Sequence, residues 1–145
     1  MFNSGEMIKG NGIFFWRVRG SDCSYYAVED KSLRVYSEFR TGLDVLPCLL
    51  ELTKGEGGFT IKFYFNEDSP ARIFNREEKK EVTDCFVKEI LNGTTLGSKW
   101  EKRVIEEGKR DPKKRKECRQ EVEKHGEDRK KLEQILRQKV EAFVG

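Results

Sequence analysis

Four cysteines, a single histidine and a few groups of cations are the side chains of this sequence that could do chemistry. Cys23, Cys48, Cys85 and Cys118 stand 25, 37 and 33 residues apart. A zinc site draws its ligands from pairs at short spacing, and there is no CxxC pair. His125, the single histidine, lies in a charged helical stretch, so no Ser/His/Asp or Cys/His set is plausible. GxGxxG and GK[ST] are absent, and the KGEGG run of Lys54–Gly58 leads into a strand rather than a helix, so no phosphate loop is offered. Carboxylates are abundant, but none has the apolar surroundings that would tune it, and Glu67 and Asp68 read as turn residues. The reading is of a protein that is not an enzyme, with no metal and no cofactor. Its thiols are expected to be reduced and mostly buried, as in an intracellular protein.

The cations offer binding rather than catalysis. Lys9, Arg17 and Arg19 lie around the first expected strand and could converge on an anion. Asp22 and Glu29 oppose that use. Lys113, Lys114, Arg115 and Lys116 follow Pro112 and look like a short nuclear-import signal. The same run, with Arg129-Lys130-Lys131, could track nucleic-acid phosphates. Residues 96–145 carry 16 Lys and Arg against 11 Asp and Glu, and this interleaving cancels most of the field. Aromatic side chains that would stack on bases are also lacking there. Cys118, Val122, Leu132, Leu136, Val140 and Phe143 recur at helical spacing and form a thin apolar stripe. Such a stripe packs against something, either the chain's own domain or a partner.

These groups must be positioned by a front part with 13 cations against 15 anions in residues 1–95 and a basic helical back part. Phe59, Ile61, Phe63 and Phe65 alternate with Thr60, Lys62 and Tyr64, which puts the large apolar groups on one face of a strand. Asn66 to Pro70 supplies a turn and Ala71–Asn75 a short strand. Asn75 then caps a helix, with Glu78 completing a capping box. Val82, Phe86 and Ile90, flanked by Cys85 and Leu91, make the stripe that lays this helix on the sheet, and Asn92-Gly93 ends it. Upstream, Ile13–Val18, Ser24–Glu29 and Leu33–Glu38 read as an antiparallel meander, with a further strand around Cys48–Leu52 entered past Pro47. Met7 and Ile8 could pin the N-terminal stretch to the sheet edge. Beyond a TTLGS connector, Lys99–Arg110 reads as helix, Asp111-Pro112 breaks it, and a second helix runs from Lys113 to Phe143. No apolar run is long enough to span a membrane and no signal peptide opens the chain, so a cytoplasmic or nuclear location is expected.

Six strands closing on one amphipathic helix resemble a pleckstrin-homology-like domain over about residues 8–92. The residues that carry the likeness are Gly12–Val18, Tyr25–Val28, Leu33–Tyr36, Phe59–Ile61 and Ile73–Asn75. Phe86 stands where many such domains place a tryptophan. The resemblance implies a small bent antiparallel barrel of α+β class, with seven strands and the helix plugging one end. The expected division is 1–93 as this domain and 94–145 as a basic helical extension. It also implies a non-enzymatic interaction module that binds protein segments along the third strand or along the sheet edge beside the helix. A nuclear transcription or chromatin complex is the expected setting. The alternatives are a phosphoinositide or membrane-surface adaptor through Lys9, Arg17 and Arg19, and non-specific nucleic-acid binding through the extension.

Overall fold

In the computed structural model the described residues are 6–8, 12–17, 23–39, 48–64, 68–93 and 98–145, with the side chains of 6–8, 23, 39, 93, 98–103 and 125 left aside. Lys9, Arg19, Pro47, Phe65, the expected turn at 20–22 and the connector at 94–97 lie outside them. Seven strands form one antiparallel sheet in chain order: β1 (Glu6–Ile8), β2 (Ile13–Arg17), β3 (Cys23–Glu29), β4 (Ser32–Phe39), β5 (Leu50–Gly55), β6 (Gly58–Phe63) and β7 (Arg72–Asn75). Three α-helices follow, α1 (Lys79–Gly93), α2 (Ser98–Arg110) and α3 (Arg115–Val144), with a single 3-10 turn at Pro112–Lys114 between the last two. The class is α+β, as expected. The sheet is open: β1 pairs only with β2 and β7 only with β6 among the described residues.

Alternation decides which side chains meet the helices. Phe14, Trp16, Tyr25, Ala27, Leu33, Val35, Leu50, Leu52, Phe59, Ile61 and Phe74 all point to one face and are buried there. Phe63 packs part-buried against the same core. Phe15, Tyr26, Tyr36, Glu51, Thr60 and Ile73 take the intervening positions and face outward.

The capping box forms as expected, but on the turn just ahead of α1, which starts at Lys79 rather than directly after Asn75. Asn75 Oδ1 accepts from the backbone N–H groups of Glu77 and Glu78, each at 3.1 Å, and Glu78 Oε1 accepts from the Asn75 N–H at 3.0 Å. Val82, Cys85, Phe86, Val87, Ile90 and Leu91 are all buried, in one cluster with side chains of the sheet and of α3. At about 25 cal/mol per Å² of apolar surface, a stripe of this size is worth several kcal/mol before ordering costs are counted.

One expectation is corrected. The KGEGG run of Lys54–Gly58 reads from sequence as a hairpin turn, but strand β5 runs on through Lys54 and Gly55, because Gly55 and Gly58 pair and leave a two-residue reversal at Glu56-Gly57. Gly58 makes this closure possible: its φ is +142° and a Cβ there would sit 2.0 Å from the Phe74 carbonyl oxygen. Of the two covers expected for the stripe of α3, its second half takes the chain's own core. Leu132, Leu136, Val140, Phe143 and Val144 of α3 belong to the same buried cluster as the sheet and α1. Spacing of three and four residues puts them on one helical face, and that face is covered by the chain itself.

Candidate functional site

Strand β7 is four residues long and borders the sheet beside α1. Pairing of Phe59 with Phe74 sends both rings inward, so the pairing of Thr60 with Ile73 sends Ile73 outward. Its side chain is 81% exposed, the most open of the large apolar residues among those described. Thr53, Thr60 and Ile73 form a row across β5, β6 and β7. Together with Gly55, Gly57 and Gly58 they line a hollow of about 300 Å³. A Cβ added at Gly57 would meet nothing within 4 Å, so the hairpin turn leaves this hollow open. No charged side chain lines it.

The other side of β7 is organised by a cation. Arg72 Nη1 lies 3.1 Å from Cys85 Sγ, and the guanidinium carbon is 5.4 Å from the centre of the Phe74 ring. Burial pushes the Cys85 thiol up, while the Arg72 charge partly offsets it. Burial is likewise the main cause raising the thiols of Cys48 and Cys118. A reactive cysteine has its thiolate favoured by its surroundings, and these three have the reverse. Among the described residues no group of three or more His, Cys, Asp or Glu side chains is gathered where it could hold a metal ion.

An unpaired strand edge is a template for another strand. Its backbone N–H and C=O groups have no ladder partner on that side, and proteins usually blunt such edges with charge, proline or shortness. Here shortness and Arg72 blunt one side of β7, while Ile73 leaves the other apolar. The arrangement can bind an extended segment by main-chain hydrogen bonds and select its alternate side chains in the hollow.

No protein-family model, curated protein or solved structure matches this chain. The hollow beside β7 is neutral, and its glycine, threonine and isoleucine lining could accommodate an uncharged, β-branched side chain.

The residues singled out by sequence fall in different places. Of the three cations near the first strand, Arg17 alone is described; it ends β2 on the outer face, in a row with Ser24 and Glu38. Lys113 and Lys114 lie in the 3-10 turn and Arg115 and Lys116 open α3, all exposed. Asp111 caps that turn by accepting from Lys113 N–H at 3.0 Å, and Lys114 pairs with Glu107 at 3.3 Å. The stripe is divided: Leu132, Leu136, Val140 and Phe143 enter the core, whereas Cys118 and Val122 stay part-exposed and face α2. No helix among the described residues is long and apolar enough to cross a membrane.

Sequence reasoning missed one feature of the outer face. Phe15, Tyr26 and Tyr36 stand side by side on β2, β3 and β4, with ring centres 5.4 Å and 5.2 Å apart. Burial, then the nearby Glu38 carboxylate, raises the Tyr26 hydroxyl. Alternation within each strand is a local matter, but the row exists only once the register is known.

Proposed function

We propose that the chain is a non-enzymatic interaction module which takes an extended protein segment as an added strand along β7, beside α1. The observation that carries this reading is Ile73, 81% exposed on a strand with no second partner among the described residues. The uncharged hollow next to it favours a peptide over a phosphate group.

The architecture we propose is the pleckstrin-homology-like one, in which the sheet bends toward a barrel and α1 lies across its open side. Seven strands at about 4.8 Å would be nearly 30 Å wide if flat. Yet Trp16 on β2 and Phe74 on β7 share one buried cluster with α1 and α3, which favours a strongly curved sheet. A nuclear transcription or chromatin setting is proposed on the exposure of Lys113, Lys114, Arg115 and Lys116. Imaging a Lys113→Ala/Lys114→Ala protein tests it, and an unchanged cellular distribution removes it.

The β7 proposal is tested by selecting displayed random peptides against the full chain and mapping the winners by hydrogen exchange. Peptides with alternating β-branched or aromatic residues should emerge and slow exchange at the amides of Arg72–Asn75. Ile73→Asp should weaken them about tenfold or more, the scale of a lost anchor side chain, with the melting temperature unchanged. Selected peptides that protect any other surface, or that ignore Ile73→Asp, would remove β7 as the site.

A further inference from the structure

We infer that a second site, the groove between α2 and the first half of α3, holds an acidic amphipathic helix of a partner protein. The groove encloses about 280 Å³. Its floor is apolar: Ile105 and Gly108 from α2 face Cys118 and Val122 from α3. The helices approach closely there, since a Cβ on Gly108 would come 3.1 Å from the Cys118 Cβ. Two helices can bury the seam between them on one side only. On the open side Ile105 remains 43% exposed and Val122 part-exposed, although both belong to apolar faces. A third helix is what such a seam lacks.

Charge selects the occupant. Lys109, Arg115 and Arg119 rim the groove against one carboxylate, Glu123. Arg115 and Arg119 are one turn apart on the same face. None of the three cations has an ion-pair partner among the described residues. A second copy of this chain would bring the same three cations against them, which disfavours self-association through this groove. An extended segment is disfavoured too, because helical backbones have their N–H and C=O groups already paired and offer no ladder. A helix satisfies its own backbone, fills the floor with leucine-like side chains and meets the rim with Asp or Glu. This site is independent of β7, which offers the opposite kind of surface.

The test uses the full chain and a fluorescent four-turn peptide with leucines at helical spacing and glutamates flanking them. A control peptide has every glutamate changed to lysine. Fluorescence anisotropy should show saturable binding of the acidic peptide that weakens with salt, and little binding of the basic one. Arg115→Glu/Arg119→Glu should lose about tenfold or more of that affinity, with its circular dichroism unchanged because both side chains are exposed. Bound peptide should also slow alkylation of Cys118 but not of Cys48, read residue by residue by mass spectrometry at mildly alkaline pH. Four results would each overturn the inference. They are no saturable binding, equal binding of both peptides, indifference to the double reversal, and concentration-dependent dimerisation that the double reversal abolishes.

Discussion

The two halves of α3 are one continuous helix with one repeat of apolar residues, yet they have different fates. From Leu132 to Val144 the stripe is sealed against the sheet and α1, with Leu132, Leu136 and Val140 at 1%, 2% and 1% exposure. From Arg115 to Val122 the same stripe has only α2 for company and remains half-open. Periodicity announces that a helix has a face to bury. Whether the cover comes from the chain or from outside depends on what lies across from it.

The largest effect that can break this contrast is a pair of truncations. Leu136→Ala should cost about 2–5 kcal/mol in urea unfolding, as for fully buried leucines, while Val122→Ala should cost about 1 kcal/mol or less. Equal costs would mean that the halves are equally packed. Gly126 lies between them, and an added Cβ would meet nothing within 4 Å. Gly126→Ala should therefore stabilise the protein by roughly 0.5–1 kcal/mol through helix propensity alone, read by the same unfolding curves.

Ion pairs give a smaller and sharper comparison. Lys139 and Glu29 join the sealed half of α3 to β3 at 2.9 Å, with side chains 20% and 30% exposed. A double-mutant cycle on them should show coupling of roughly 0.5–1 kcal/mol. The Lys114–Glu107 pair, which ties the 3-10 turn ahead of the open half to α2 at 54% and 57% exposure, should show no measurable coupling. The least effect concerns alkaline pH. Cys48 and Cys85 are raised above the ordinary thiol value of 9.0 by burial. The folded state then holds these protons more tightly than the unfolded chain. That contribution is whole below the unfolded pKa and is lost as pH climbs through the folded one. The melting temperature should fall from about pH 9 upward, and less so in a Cys48→Ala variant.

Much of the fold was legible because it is written in local periods. The period of two in Phe59–Phe63, the capping box of Asn75 and Glu78, and the four-residue recurrence of Val82, Phe86 and Ile90 each name their element without help. Met7 and Ile8 do lie at the sheet edge as expected, but the extent of β1 was not legible, since Glu6–Ile8 is three residues held by main-chain pairing that any sequence can make. The reach of β5 into Lys54-Gly55 depended on Gly58 accepting a backbone that few residues tolerate. The candidate site was less readable still. Ile73 looks like any strand residue until the strand order leaves it on the border, and border status is a property of the whole sheet. Likewise Cys118 and Val122 were visible as a stripe, but their partners Ile105 and Gly108 were not, because nothing local says which helices cross.

The unbroken chain order of the sheet has a consequence in time. Each strand pairs with the one made just before it, so the sheet can zip together as short loops close, a topology that favours rapid formation. Its greasy side is a different matter, because α3 reaches it only when residues 132–144 exist. During synthesis the sheet and α1 are therefore complete before residues 132–144 exist, and part of that side stays bare until the last helix arrives.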